Sequence, residues 1–223
     1  MAFTPSFIGR TTFSNATLAQ IPTGNIAVGT RILIAFCIDA PDWDDITDTQ
    51  SNSGFNGQPV TGNVYGQRSG EAHPNGTCGV WFVTCDSTTV QLRGGGTRDQ
   101  LQLSRAAGMT GSMAALSATG LTSGVMDSGS TLFGSDTTPI VGLGPIPAND
   151  YLIGILGVVG PSSDGFTQDP TFINPGNFNS QTTTSFSVYA GYKQLLTAQS
   201  NPRWQPTLGV ARDYVGVLLA LEP

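Results

Sequence analysis

An almost unbroken apolar run, Ile32 to Ile38, is followed at once by Ala40-Pro41-Asp42, and then by Trp43 to Thr49 with its own bulky positions Trp43 and Ile46. The first run is long enough for one buried strand and too short for a typical helix. Proline has no backbone donor and a fixed φ, so between two β-favouring runs it marks a corner. The same alternation of apolar run and turn recurs at Cys78–Asp86, Met113–Leu121, Tyr151–Val159, Ser185–Lys193 and Tyr214–Leu221. A chain punctuated in this way is expected to be all-β.

Composition closes the main alternative. Lys193 is the only lysine, and Glu71 and Glu222 are the only glutamates, so helices supported by Glu–Lys pairs one turn apart are excluded. Gly, Ser, Thr, Asn and Gln, the turn and strand formers, dominate instead. At 223 residues the chain fits one large β-sandwich, with residues 1–30 as an N-terminal arm or first strand and 31–223 as a single domain. The formal net charge of −6, with basic residues scattered singly, argues against nucleic acid as a partner.

Three cysteines are present. Cys37 lies inside the first apolar run, where a small buried hydrophobe is expected. Cys78 and Cys85 stand at the two ends of one expected strand, about 20 Å apart if extended, and are not expected to pair with each other. An odd count without a framework spacing points to synthesis in a reducing cytoplasm. The start, Met1 to Pro5, lacks the basic and long apolar regions of a secretory signal, and the longest apolar stretch, Tyr151–Gly160, is much too short to span a bilayer. No membrane partner is expected.

Along the chain, residues 1–30 suit one or two short strands. Residues 50–78 form the longest polar interval, with a hairpin expected near Val60–Tyr65 and a contact surface on the rest. Val80–Cys85, Thr89–Leu92 and Asp99–Leu103 read as strands around a Gly94-Gly95-Gly96 turn. Gly124–Leu143 reads as a glycine-rich crossing and Asp164–Ser180 as a loop. Tyr151–Val159, apolar throughout, suits the middle of a sheet covered on both faces. Eight to ten strands with long connections predict a two-sheet antiparallel sandwich of jelly-roll type.

Candidate chemistry is sparse. Asp39, Asp42, Asp44, Asp45 and Asp48 gather enough oxygen to consider calcium, but their spacing is not an EF-hand loop and turn capping accounts for Asp42 and Asp48. His73 is the sole histidine; no Gly-x-Ser-x-Gly elbow accompanies it, and a surface loop histidine is the expectation. Glu71 and the aspartates supply no recognisable glycosidase pair, and one histidine with unsuited cysteine spacing makes no zinc site. No catalytic residue, metal or cofactor is therefore expected. Trp43, Trp81 and Trp204 with Tyr65, Tyr189 and Tyr192 are the material for a sugar-stacking platform. Trp204, between Pro202 and Pro206 beside Arg203, is the aromatic expected to be exposed. Trp204, Arg203, Phe172 and Tyr65 are the expected interface or ligand contacts.

The order of segments resembles the β-sandwich modules of tailed-phage virion proteins and related bacterial surface proteins. The residues that carry the resemblance are the buried strand with WDDITDTQSNSG, then GVWFVTC before a glycine turn, SMAALSATGL, PANDYLIGILG and the closing YVGVLLALE. It covers roughly Arg31 to Glu222. The resemblance implies a non-enzymatic virion component: a head decoration (cement) protein first, a tail-fibre or receptor-binding part second. Its implied partners are itself, as a homotrimer, the major capsid or other virion proteins, and a host surface glycan. Its implied location is the virion surface after synthesis in the host cytoplasm. A carbohydrate-binding module of a bacterial surface protein is the alternative from another class.

Overall fold

A computed structural model describes residues 4–22, 31–38, 62–65, 77–84, 100–119, 126–175, 180–181 and 186–222. Five strands make the first sheet: β1 (Thr4–Pro22), β2 (Arg31–Ile38), β3 (Gly62–Tyr65), β4 (Thr77–Thr84) and β5 (Gln100–Thr119), in the order β1-β5-β2-β4-β3. Five more make the second: β6 (Met126–Asp136), β8 (Tyr151–Val159), β10 (Ser180–Gln181), β11 (Phe186–Gln194) and β14 (Arg212–Leu221), in the order β10-β11-β8-β14-β6. Two small ladders remain, β7 (Val141–Gly142) with β12 (Arg203–Trp204), and β9 (Phe166–Thr167) with β13 (Thr207–Leu208). Every ladder is antiparallel.

The chain is thus the expected two-sheet antiparallel sandwich. Among the described residues each sheet is drawn from one contiguous half of the chain. Other expectations change in detail. Residues 4–22 form one 19-residue strand rather than short pieces, and the segments expected separately at Asp99–Leu103 and Met113–Leu121 belong to the single strand β5. The two run together, with register shifts at Phe7/Gly9, Phe13/Ala16 and Ala16/Leu18. Asn15, at φ 48°, tolerates the left-handed turn within the second shift, and its amide donates to Thr110 Oγ1 at 3.2 Å. The crossing expected over Gly124–Leu143 contains β6, which pairs along β14. Of the hairpin expected at Val60–Tyr65, Gly62–Tyr65 form the strand β3 on β4, and Val60 and Thr61 lie outside the described residues.

Between the sheets, Ala35, Cys37, Ala114 and Leu116 of the first meet Tyr151, Ile153, Ile155, Phe186, Val188, Val215, Val217, Leu219 and Leu221 of the second. Period-two alternation explains this: odd positions of β8 and β14 face inward, and even positions face the other way. Ser112 is fully buried on β5, and its hydroxyl crosses the gap to donate to Phe186 O at 2.8 Å, tying sheet to sheet. Cys37 is fully buried as expected but is disulfide-bonded, not a free thiol. In the register of the β2–β4 ladder Cys78 stands opposite it. Sequence spacing weighed Cys78 only against Cys85; it could not see that β2 and β4 become neighbours.

The outward face of the second sheet is buried too. Leu152, Leu156, Val158, Tyr189, Tyr214, Leu218 and Ala220 pack under Val141, Leu143, Ile146, Phe172, Leu195, Trp204 and Leu208, which come mostly from the connections. The molecule has a third layer there, built from residues 137–150, 161–175 and 195–211. Tyr151–Val159, the third strand of its sheet, is covered on both faces as its composition requires.

Candidate functional site

The third layer is where the expected contact residues Trp204 and Phe172 meet, so the site is built from it. Its frame is an irregular ribbon in which residues 143–150 run against 195–202. Leu143 N donates to Pro202 O at 3.0 Å, Ile146 and Gln199 exchange amide bonds at 2.8 and 3.0 Å, and Leu195 N donates to Asp150 O at 2.9 Å. β12 continues this ribbon and delivers Trp204 onto the sheet.

Trp204 is 0 % exposed, which corrects the expectation that it would be the exposed aromatic. The reason lies beneath it. A Cβ on Gly154 would stand 2.2 Å from Trp204 Cδ2, so only glycine lets the indole lie on the sheet. Gly191, directly across the ladder from Gly154, does the same for Gln168, whose amide nitrogen would stand 2.6 Å from an added Cβ. Two neighbouring glycines thus open a socket in the sheet, filled by one indole and one carboxamide. The two fillers bond to each other: Trp204 Nε1 donates to Gln168 Oε1 at 2.8 Å. Gln168 Nε2 in turn donates to Ala190 O at 2.7 Å.

Asp169 ties the next turn to the same point. Its Oδ1 accepts from Thr171 N and Thr171 Oγ1 at 2.8 and 2.7 Å, and its Oδ2 accepts from Gln205 N at 2.8 Å. Phe172 N closes the Asp169-Pro170-Thr171-Phe172 turn on Asp169 O at 3.0 Å. Aspartate first and proline second is the preferred chemistry of such a turn. Phe172, only 5 % exposed, leans on Trp204 with ring centroids 6.1 Å apart at 44°. Lys193 Nζ stands over the outer side of that ring, 4.6 Å from its centroid. Burial pushes the Lys193 ammonium below its ordinary range, and the negative charge of Asp169 pulls it partly back.

Arg203, next to Trp204 but on the opposite side of the strand, is exposed. With its amide oriented to satisfy both neighbours, Asn201 donates to Leu143 O at 3.0 Å and accepts from Arg203 Nη2 at 3.1 Å. Tyr65 belongs to β3 at the far edge of the first sheet, away from the third layer in strand order; its side chain lies outside the described residues. So do Asp39–Asp48, His73, Glu71, Trp43 and Gly94–Gly96, and the side chain of Trp81.

One further clasp ties the layer to β14, and another joins β14 to β6 within the sheet beneath it. Arg212 makes a two-point bridge to Asp164, Nε to Oδ2 at 2.5 Å and Nη2 to Oδ1 at 3.2 Å, and that hydrogen-bonded pairing raises the guanidinium's pKa. Tyr214 OH donates to Asp136 Oδ2 at 3.1 Å. Burial first, then the charge and hydrogen bond of Asp136, push this phenol up to about 12. Phe166 lies flat on Tyr189, centroids 4.0 Å apart at 3°.

The indole nitrogen, the Gln168 amide and both Asp169 oxygens are engaged within the layer; their chemistry is anchoring. Outward, the layer presents three large apolar side chains among exposed polar ones such as Thr171, Gln199 and Gln205: Leu196 is 82 % exposed, Ile173 58 % and Val210 43 %. An open groove of about 510 Å³ runs between Pro145, Ile146, Pro147 and Ala198, Gln199, Ser200. Among the described residues no three metal-ligating side chains gather, and no helix is long and apolar enough to cross a membrane. Sequence reasoning missed Gln168, Asp169, Gly154 and Gly191; the Asp-Pro-Thr turn and a glycine inside each apolar strand were the available signals. The chain matches no known protein family and no curated protein.

Proposed function

We propose that this protein is a non-enzymatic structural component of a phage particle, acting through its surfaces as a capsid-decorating (cement) protein and as a homo-oligomer. The observation that carries the reading is the third layer. Loops that form ligand clefts usually keep polar side chains converging on open space. Here Trp204, Gln168 and Asp169 are spent on holding long connections rigidly to a sheet, and Leu196, Ile173 and Val210 are presented outward from that rigid support. Exposed apolar side chains on an anchored backbone suit protein contact, because little backbone ordering entropy is lost on association. The virion setting comes from the resemblance of the strand segments to tailed-phage β-sandwich modules. The sugar-binding alternative loses Trp204, its most exposed expected member, to the interior.

The test is the mass in solution by light scattering, followed by co-sedimentation with virions stripped of their decoration proteins. A homotrimer that rebinds particles, and a Leu196→Glu, Ile173→Glu variant that keeps its fold but binds at least tenfold more weakly, support the reading. A monomer that ignores particles and is indifferent to the double substitution removes it.

A further inference from the structure

Cys37 lies on β2, the central strand of the first sheet, and is fully buried in the core shared with the second sheet, alongside Ala35, Ala114, Tyr151 and Ile153. It is disulfide-bonded.

We propose that Cys37 and Cys78 are joined as a cross-strand lock, so that the firmness of the first sheet depends on oxidation while that of the second does not. The register places the two residues directly opposite each other. Opposed residues of an antiparallel pair have Cα atoms about 4.5–5.5 Å apart, inside the range of about 4.4–6.8 Å that a disulfide spans. The far end of the same strand is out of reach: Thr84 pairs with Arg31, at the opposite end of β2 from Cys37, some 20 Å away at the usual rise per residue. The bond ties β2 to β4 and encloses the whole interval between them, including β3. It restricts that interval in the unfolded chain, which is the usual source of disulfide stabilisation.

The chemistry needs an oxidant, and a low-molecular-weight disulfide such as oxidised glutathione suffices. The Cys37 and Cys78 thiols each lose a proton, a sulfur–sulfur bond forms between them, and the two electrons reduce the oxidant to two thiols by successive exchange. Once formed, the bond is shielded at Cys37, which is fully buried, so attack on that sulfur requires the sheet to open. A chain folded in a reducing cytoplasm would therefore carry a looser first sheet, which tightens on release. This inference is independent of the proposed role in a virion.

Peptide mapping of thiol-blocked, non-reduced protein tests the linkage, and hydrogen exchange of oxidised against fully reduced wild-type protein tests the consequence. The expected map joins the Cys37 and Cys78 peptides within one chain and leaves Cys85 alkylated. The expected exchange shows residues 31–38, 77–84 and 111–119 losing protection at least tenfold on reduction, while 151–159 and 212–221 change less than twofold. A Cys37→Ala, Cys78→Ala variant is expected to match the reduced protein and to ignore reductant. Three alkylated cysteines, a link to Cys85 or to another chain, or equal protection in both redox states would overturn the proposal. The wild-type comparison decides it even if the double variant does not fold.

Discussion

On its inner face the second sheet meets another sheet; on its outer face it meets loops. The inner contact is made by apolar side chains repeating every second residue along β8, β11 and β14, joined by the cross-sheet hydrogen bond from Ser112. The outer contact uses the same strands, but what lies on them comes from three connections and is fixed at a few points: Trp204 and Gln168 in the Gly154–Gly191 socket, Asp169 on Gln205, Arg212 on Asp164. Strands already have their backbone groups paired in ladders, so side chains need only exclude water. Connections must find partners for their backbone and polar groups as well, and here side chains supply several of them. Stability on the inner face is spread over many similar residues; on the outer face it is concentrated in anchors.

The largest effect that separates the faces is expected at the indole. Trp204→Ala leaves a cavity under the third layer and removes one of the two donors on the Gln168 carbonyl, the other being Asp169 N, so urea unfolding should show a loss of about 3–5 kcal/mol. Ile153→Val on the inner face should lose only about 0.5–1.5 kcal/mol. If Trp204→Ala cost no more than the valine, the idea of concentrated anchoring would fail.

A smaller effect is expected from below. Gly154→Ala drives a methyl into the indole and should destabilise by about 1–3 kcal/mol, with lowered near-ultraviolet dichroism from a displaced tryptophan. Gly144→Ala, where an added Cβ meets nothing within 4 Å, should stay within about 0.5 kcal/mol of wild type. Equal results at the two glycines would mean that the socket does not hold the layer.

The smallest effect sharpens the comparison through pH. The folded protein holds the Tyr214 proton more tightly than the unfolded chain, with the phenol raised from 10.0 to about 12. That contribution is complete below pH 10 and is lost as pH rises from about 10 through about 12. Alkaline titration followed by thermal melting should show the fall in this window, and Tyr214→Phe should flatten it. Tyr189, whose pKa burial also raises, leaves a residual slope in the variant. An unchanged alkaline limb would remove Asp136–Tyr214 from the set of clasps.

Much of the inner face was legible beforehand. Tyr151–Val159 and Tyr214–Leu221 carry their burial in the sequence, because a strand covered on both faces must be apolar at every position. The candidate site was much less so. Trp204 between two prolines beside an arginine has the local look of an exposed loop residue, and only its docking on Gly154 buries it. Gln168 and Asp169 look like solvated loop polars, and only tertiary contact gives them partners thirty-six residues away. Cys37 and Cys78 belong to strands whose adjacency no spacing argument reveals.

The sequence by itself determined that this chain would be strands in two packed sheets, because alternation, turn residues and the near absence of lysine and glutamate act locally and leave few other ways to bury apolar surface. The tertiary structure alone decided which halves form which sheet, which cysteines face each other and that the long connections become a third layer. Those outcomes rest on close approaches between residues far apart in the chain, such as an indole on a glycine or a thiol across a ladder, and local pattern carries no record of distance in space.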